Sequence, residues 1–228
     1  QNDIVLVSGK SGSGKSFFAG WMASQFKERG KALVIWDKKN EYRGLAVALF
    51  VLNQAAFAKV RQAKHKFFLR LIEKHPSLRI VPQGLTLDEM LEAFDHLAHA
   101  VYERGETVLL VEEAHVVAPQ GQTPRYAQIL VTDARTTAND LIMVTQRVQL
   151  LDTTMASQAN VRVAFKMTDL NDLKRVSSYF QNPAPGRFSN VGAFIAAMLP
   201  FQALYVNEKN GLEGVMHTSR IANFVHFG

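Results

Sequence analysis

The sequence contains no cysteine. This absence excludes disulfide bonds, thiolate metal ligands and cysteine nucleophiles, so no disulfide partner is expected and metal chemistry is expected to rest on oxygen ligands. Long apolar runs are also missing, because the longest candidates, residues 45–52 and 191–199, are shorter than the roughly 18 residues of a membrane-spanning helix. No basic segment followed by an apolar one precedes the first predicted strand. These absences predict a soluble, cytoplasmic protein.

The composition is that of an ordinary folded domain without internal repeats. The chain has 228 residues, of which 47% are hydrophobic, enough for one α/β domain with a substantial core. We therefore expect a single domain over residues 1–228. Its motifs lie in a core at 4–166, and a break at 182–186 leads to a C-terminal helix and β-hairpin within 183–228.

A phosphate-binding motif lies near the start of the chain. Residues 9–16 read GKSGSGKS and match the pattern G-x-x-x-x-G-K-[ST] at every specified position. An apolar, β-branched run at 4–7 precedes the motif, and a helix-compatible segment at 17–29 follows it. The glycines let successive N–H groups point inward, and the helix N-terminus adds its partial positive charge. The motif predicts binding of a nucleoside triphosphate.

The residues of this loop have different predicted tasks. Lys15 is expected to reach the β- and γ-phosphates, and the Ser16 hydroxyl is expected to bind Mg2+. The residues predicted to contact the nucleotide are Gly9, Ser11, Gly12, Ser13, Gly14, Lys15, Ser16 and Phe17.

Two adjacent acids end another apolar run. Residues 107–111 read TVLLV and are followed by Glu112 and Glu113, the form of a Walker B element, in which a buried strand carries carboxylates to the edge of the sheet beside the phosphate loop. Glu112 is expected to hold Mg2+ through water, and Glu113 to orient and polarise the attacking water. Stability alone explains the pair poorly, because adjacent like charges repel. His115, with no partner at ligand spacing, is interpreted as a local hydrogen-bonding residue.

Polar residues follow two further predicted strands. The run at 32–36 ends at Asp37, with Glu41 close behind, and ligands collect at the carboxyl ends of strands in a doubly wound sheet. Asp37 and Glu41 either lie near the nucleotide or serve as turn and capping residues. The run at 141–145 ends at Gln146, whose amide can donate to phosphate and accept from water, so Gln146 is predicted to sense the γ-phosphate.

The surplus of positive charge is concentrated in one stretch. Residues 59–79 contain seven basic residues and one acid, so the stretch carries a net charge of +6, which equals that of the whole chain. The periodicity from residue 57 predicts one helix ending before Pro76, with an apolar face and, opposite to it, Lys59, Lys66 and Arg70. This basic face either contacts a polyanion or is an ordinary solvated helix surface.

Together these residues resemble the HerA/FtsK superfamily of DNA-pumping ATPases, within the P-loop class that has an additional strand and a catalytic glutamate. The matching elements are the loop at 9–16, Asp37 with Glu41 and Tyr42, residues 108–115, Ala134 with Arg135, Gln146 with Arg147, and residues 157–160. The resemblance implies a RecA-like P-loop NTPase fold, a mostly parallel central sheet flanked by helices with a C-terminal β-hairpin, and ATP and Mg2+ as cofactors. One departure is Glu112, where the family usually has aspartate, so metal coordination is expected to differ in detail.

The resemblance also implies a role for each matching residue. Glu113 resembles the catalytic glutamate, Gln146 the sensor, and Arg135 the arginine finger that reaches the nucleotide of a neighbouring subunit. A finger that acts on a neighbour implies a homo-oligomeric ring, a pentamer or hexamer. Arg125 and Arg147 are alternative fingers.

The activity that the resemblance implies is ATP hydrolysis coupled to the translocation of double-stranded DNA, gripped through its phosphates. A bare motor of this size is most similar to the genome-packaging ATPases of internal-membrane, double-jelly-roll viruses such as tectiviruses. That similarity implies capsid-vertex or membrane proteins of a virion as partners, and a location in host cytoplasm or at a virion vertex. The alternatives are a Zot-like phage morphogenesis or secretion ATPase acting on protein, a cellular HerA-like DNA-processing translocase, and a small-molecule kinase, which predicts a monomer with an acceptor pocket.

Overall fold

The computed structural model describes residues 2–45, 48–180 and 190–218, apart from the side chains of residues 134 and 135. The break predicted at 182–186 lies outside the described residues. Within these ranges the strands are β1 (Ile4–Ser8), β2 (Ala32–Trp36), β3 (Ala48–Leu52), β4 (Ser77–Pro82), β5 (Thr107–Val111), β6 (Asp140–Thr145), β7 (Val161–Phe165), β8 (Gln202–Asn207) and β9 (Leu212–His217). They pair into one sheet in the order β3-β4-β2-β5-β6-β1-β7-β8-β9.

The sheet is parallel over most of its width. All pairs among β1 to β7 are parallel, while β8 runs antiparallel to β7 and forms a hairpin with β9 at one edge. Strands β1, β2 and β5 are buried at every position, as expected for apolar runs covered on both faces. This arrangement confirms the predicted mostly parallel sheet with a C-terminal hairpin.

Helices cover both faces of the sheet. Those in the described residues are α1 (Lys15–Lys27), α2 (Gln54–Ala63), α3 (His65–Lys74), α4 (Leu87–Arg104), α5 (Ala114–Val117), α6 (Arg125–Thr132), α7 (Ala134–Thr137), α8 (Thr153–Ser157), α9 (Leu170–Ser177) and α10 (Val191–Ala197). On one face α1 packs Phe18 and Phe26 against the sheet. On the other, α4 places the Phe94 ring 5.4 Å from that of Trp36. No helix in the described part of the chain is long and apolar enough to cross a membrane.

The single helix predicted from residue 57 is wrong, because the structure divides it into α2 and α3. Lys64, between them, has a φ of +54°, a backbone conformation that interrupts a right-handed helix. The break gives α3 a direction of its own, and Phe68 and Ile72 of α3 are both completely buried. Burial of this second apolar face outweighs the cost of the unfavourable backbone conformation at Lys64.

Candidate active site

The phosphate loop joins β1 to α1 along a path that only glycine follows easily. Gly9 has a φ of +149°, and a Cβ built on it would lie 2.7 Å from the Cβ of Phe165. Gly14 has a φ of +107°, and its Cβ would lie 2.9 Å from the ring of Phe201. Both positions combine a backbone conformation that L side chains rarely adopt with a lack of space for a side chain. The motif therefore forms a tightly turned loop that requires glycine at these two positions.

The motif lysine lies at the base of this loop. Lys15 is 4% exposed, and its Nζ donates a 2.8 Å hydrogen bond to the carbonyl oxygen of Lys10. The Ser13 hydroxyl donates to the same carbonyl at 2.8 Å. Burial lowers the pKa of Lys15, against the opposing effect of nearby carboxylates, the strongest being Glu112. The ammonium group is thus held by a backbone oxygen that a phosphate oxygen can replace.

The motif serine contacts an acidic residue from the turn after β2. The Ser16 hydroxyl donates a 2.6 Å hydrogen bond to Oε2 of Glu41. The turn is fixed by Asp37, which is completely buried and accepts hydrogen bonds from the backbone N–H groups of Glu41 and Tyr42 at 2.9 and 3.1 Å. Asp37 is therefore a turn residue, whereas Glu41 contacts the phosphate loop. Of the two alternatives predicted for both residues, the turn role applies to Asp37 and the position near the nucleotide site applies to Glu41.

Glu112 follows β5 and is buried beside this turn. It is 1% exposed, and the hydroxyl of Tyr42 donates a 2.8 Å hydrogen bond to its Oε2. Burial raises the pKa of Glu112 to about 7, although the Tyr42 hydrogen bond and the charge of Lys39 act in the opposite direction. Burial and the charge of Glu112 together hold the pKa of Tyr42 well above its usual value, so Tyr42 remains a hydrogen-bond donor.

Glu113 has the geometry of a prepared base. Its φ and ψ are +52° and +50°, a left-handed conformation that costs a non-glycine residue on the order of 1–3 kcal/mol. Its Oε1 forms an ion pair with Lys39 and accepts a 2.9 Å hydrogen bond from Nε2 of Gln146. Its Oε2 is buried and accepts no hydrogen bond from any described residue, although Nδ1 of His115 lies 3.3 Å away. One oxygen is therefore held by two partners, while the other is buried without a hydrogen-bond donor among the described residues.

His115 and Gln146 extend this arrangement. Nδ1 of His115 lies 2.9 Å from the hydroxyl of Thr145, the last residue of β6, as expected of a local hydrogen-bonding residue. Burial lowers the pKa of His115, which favours its neutral form. Because β5 and β6 are neighbours, the residues that follow them meet at one edge of the sheet. The predicted sensor and the predicted base are thus in direct contact.

The oxygen atoms at this edge suit Mg2+. A hydroxyl from Ser16 and carboxylates from Glu41 and Glu112 gather beside the phosphate loop, and Mg2+ prefers hard oxygen ligands. Ser16 and Glu112 were predicted as metal ligands, whereas Glu41 was predicted either to lie near the nucleotide or to be a turn or capping residue.

The three candidate arginine fingers lie in different places. The side chain of Arg135 is outside the described residues, but its backbone lies in α7, just before β6 and thus at the amino edge of the sheet. Arg147 lies 3.4 Å from Asp172 and 3.7 Å from Asp169 of its own chain. Arg125 is exposed at the start of α6, with its guanidinium over the ring of Tyr126.

The basic stretch separates into exposed and buried residues. Lys59 on α2 and Lys66 and Arg70 on α3 are exposed, and no ion pair within the described ranges involves them. Arg79, counted with them in the sequence, is 7% exposed and lies 3.3 Å from Asp37. It therefore belongs to the interior, because β4 pairs with β2 and carries Arg79 to the turn that follows β2.

Sequence reasoning missed the roles of Lys39 and Phe201. Lys39 forms ion pairs with both Glu112 and Glu113, which the sequence separates from it by more than seventy positions. Phe201 donates its backbone N–H to the Ser13 carbonyl at 3.0 Å and lines a pocket with the phosphate loop. The end of β2 was a usable signal for Lys39, but the adjacency of β2 and β5 was not visible in the sequence. No sequence signal pointed to Phe201.

The comparisons with known proteins agree with this geometry. The sequence matches the family described as Helicase HerA, central domain, over residues 4–174. The genome packaging NTPase B204 from Sulfolobus turreted icosahedral virus 2, solved with ATP-gammaS, is 18% identical over 94% of this chain and 96% of its own, with a TM-score of 0.64. VirB4 of Thermoanaerobacter pseudethanolicus is 13% identical over 95% and 89%, with a TM-score of 0.65. The bacterial conjugative coupling protein TrwB is 12% identical over 97% and 86%, also with a TM-score of 0.65. No curated protein has a significant sequence match.

A mostly parallel sheet that carries a phosphate loop and paired glutamates at its carboxyl edge defines a P-loop ATPase. The chain belongs to the HerA helicase central-domain family, because the family match covers well over half of its residues. The predicted HerA/FtsK resemblance and the predicted P-loop fold are both confirmed. The chain therefore binds ATP and hydrolyses it.

Proposed function

We propose that this chain is a Mg2+-dependent ATPase that works as a homo-oligomeric ring and moves double-stranded DNA, filling a viral capsid. The observation that carries the hydrolytic part is Glu113, with one oxygen held by Lys39 and Gln146 and the other buried without a hydrogen bond from the described residues. A carboxylate in this state accepts a proton from water as the water attacks the γ-phosphate.

Two contacts at the phosphate loop involve groups that the nucleotide and its metal ion would use. The ammonium of Lys15, now on the Lys10 carbonyl, would bind the β- and γ-phosphates, and the Ser16 hydroxyl, now on Glu41, would be a ligand of Mg2+. Ser16 and Glu112 are the residues that would hold this ion. The bound ion supplies charge neutralisation on the phosphates. Gln146 is hydrogen-bonded to Glu113, so a contact between Gln146 and the γ-phosphate would couple the presence of that phosphate to the position of Glu113.

The proposed ring rests on the position of α7. Residue 135 precedes β6 at the amino edge of the sheet, and the phosphate loop follows β1 at the carboxyl edge. β1 and β6 are neighbouring parallel strands, so these edges lie roughly 20 Å apart at about 3.3 Å per residue. This separation supports the proposal that Arg135 acts on the nucleotide of another chain. Arg147, held by two carboxylates of its own chain, is less suited to that task.

DNA is the proposed polymer because of the exposed cations on α2 and α3. Lys59, Lys66 and Arg70 have no ion-pair partner in the described part of the chain, and phosphate contacts made by such cations are independent of base sequence. A motor that moves along any sequence needs contacts of that type. Packaging as the purpose is supported by the similarity to the viral genome packaging NTPase.

The deciding experiment compares the ATPase rate with and without duplex DNA, alongside the mass of the particle. We expect duplex DNA to stimulate turnover, the stimulation to fall steeply as salt rises, and the particle to have the mass of a pentamer or hexamer. Absence of stimulation at low salt would favour an ATPase that acts on protein. A monomer that phosphorylates a small acceptor would favour a kinase.

A further inference from the structure

Three potential metal ligands meet where α3 contacts α4, outside the active site. His65 is the first residue of α3, and His99 and Glu103 lie on α4. One nitrogen from each imidazole and one carboxylate oxygen all lie within 4.8 Å of one another. Glu103 is next to the last residue of α4, which leads to the amino end of β5, whereas the active site lies at the carboxyl end of that strand.

Helix geometry accounts for two of the ligands and tertiary packing for the third. Residues four apart share one face of a helix, so His99 and Glu103 project side by side from α4. The interruption between α2 and α3 places His65 directly over them. Its Nε2 lies 3.0 Å from Oε2 of Glu103, and its ring stacks on that of His99 with centroids 3.8 Å apart.

The central ligand is positioned from both sides. The face of the His99 ring also stacks on Tyr126, with ring centroids 3.6 Å apart and planes 7° apart. Tyr126 is fixed in turn, because its backbone N–H donates a 2.7 Å hydrogen bond to Oδ1 of Asp95. These contacts fix the plane of the His99 ring on the side opposite to His65.

We propose that His65, His99 and Glu103 bind Zn2+ or a similar divalent transition-metal ion. Two imidazoles and one carboxylate are a donor set that zinc takes with water as its fourth ligand. The side chain of Glu103 is 47% exposed and that of His65 18%, so solvent reaches the open position. Mg2+, which prefers oxygen ligands only, does not compete well at two imidazoles. The site therefore accepts an ion different from the one that serves ATP.

The ligands need only a small movement to close on an ion. Zinc bonds of about 2.0–2.1 Å in tetrahedral geometry place ligand atoms about 3.3 Å apart. The present separations of up to 4.8 Å shrink by roughly 1.5 Å at most when His65 tilts out of its stack and Glu103 rotates. The bound ion joins α3 to α4 and so fixes the helix that carries Lys66 and Arg70.

The test uses the full chain without a histidine tag, stripped of metal with a chelator and kept in excess Mg2+ to occupy the oxygen sites. Zn2+ is titrated calorimetrically, and Co2+ is added as a visible-absorption probe of coordination geometry. We expect one Zn2+ per chain and the absorption of tetrahedral Co2+. The absence of cysteine removes any thiolate background. No binding by the parent chain would overturn the proposal.

Zn2+ binding by three variants tests whether the ion binds at this cluster. His99→Ala and Glu103→Gln should each weaken Zn2+ binding at least about 100-fold, because loss of an outer-shell contact alone costs about 10–100-fold. His96→Ala, on the same helix but outside the cluster, should bind as the parent does. Zn2+ should raise the Tm of the parent chain and of His96→Ala but not of the other two. Unchanged Zn2+ affinity in both His99→Ala and Glu103→Gln would overturn the assignment. Glu103→Gln is included because the side chain of Glu103 is half-exposed, so this change is not expected to disturb folding.

Discussion

The molecule carries its charges in two contrasting regions. At the catalytic edge, defined by Lys15, Lys39, Glu41, Glu112 and Glu113, each charged group has a partner. Glu112 and Glu113 are buried and form ion pairs with Lys39, Lys15 is buried and donates to a backbone carbonyl, and Glu41 accepts from Ser16. On the basic face, defined by Lys59, Lys66 and Arg70, they are exposed and have no ion-pair partner within the described residues.

The difference follows from the cost of desolvation. A buried charge requires a compensating partner, so Lys39 restrains both Glu112 and Glu113, and the side chains of Tyr42 and Gln146 fix the two carboxylates further. An exposed charge is stabilised by water and remains available to an external polyanion. The buried ion pairs thus fix the geometry of the residues proposed for catalysis, whereas the exposed cations remain able to bind an external polyanion.

The substitution with the largest expected effect on ATP turnover is Arg135→Ala. It tests whether one chain supplies every residue that ATP hydrolysis needs. If Arg135 is the finger, Arg135→Ala should reduce turnover by about 10³-fold or more while ATP affinity is retained, because a finger stabilises only the transition state. Mixing it with Glu113→Gln subunits should restore some turnover, since some interfaces then pair an intact glutamate with an intact arginine. ATPase assays across mixing ratios provide the measurement. Lack of any rescue would leave the assignment of Arg135 to a neighbouring nucleotide unsupported.

Glu113→Gln tests the proposed catalytic base, which lies within one chain. It should have the next largest effect on ATP turnover. The amide cannot take a proton from water, so turnover should fall by about 10²–10⁴-fold. ATP should bind almost as before, because in the proposed role Glu113 acts on the attacking water and does not hold the nucleotide. Glu73→Gln, an exposed change on α3, is the matched control and should leave turnover unaltered. Near-normal turnover in Glu113→Gln would remove Glu113 from the role of base.

Glu112→Gln tests the cost of burying an acid in the nucleotide-free protein. Burial holds the pKa of Glu112 at about 7, against an ordinary value of 4.5. The folded state therefore keeps a proton that the unfolded state releases, and the free energy of unfolding should fall as pH rises from about 4.5 to 7, by up to about 3 kcal/mol at 1.36 kcal/mol per unit. Glu112→Gln should lose this dependence. Urea unfolding at several pH values, without nucleotide or Mg2+, measures both proteins, and parallel pH profiles would contradict the prediction.

Removing the basic face should have the smallest effect on turnover and a selective effect on DNA. The combined change Lys59→Ala, Lys66→Ala and Arg70→Ala should weaken duplex binding on the order of 10–100-fold and reduce the salt slope by about one for each phosphate that is no longer neutralised. Turnover without DNA should be unchanged. Arg61→Ala is the internal comparison, because Arg61 is exposed like the others but is hydrogen-bonded to Glu92 at 2.8–3.1 Å. Equal salt slopes for the triple variant and the parent would place the DNA-binding surface elsewhere.

Local patterns in the sequence predicted much of the sheet. β2 and β5 have the bounds expected from their apolar runs, since a continuous apolar segment between polar ones is itself the cause of burial on both faces. The phosphate loop was equally clear, because its glycines have left-handed or crowded backbone positions that restrict the sequence. The interruption at Lys64 was missed because the apolar period continues across it.

The sequence by itself determined that a triphosphate binds after β1 and that two acids follow β5, because each motif is local and its chemistry depends on residue type. Only the tertiary structure decided which partners these residues meet. Strand order places Lys39 against both glutamates, turns Arg79 inward onto Asp37 and brings Gln146 to Glu113. The physical reason is that pairing among distant strands depends on the packing of the whole core, whereas a glycine loop or an apolar run depends on its own few residues.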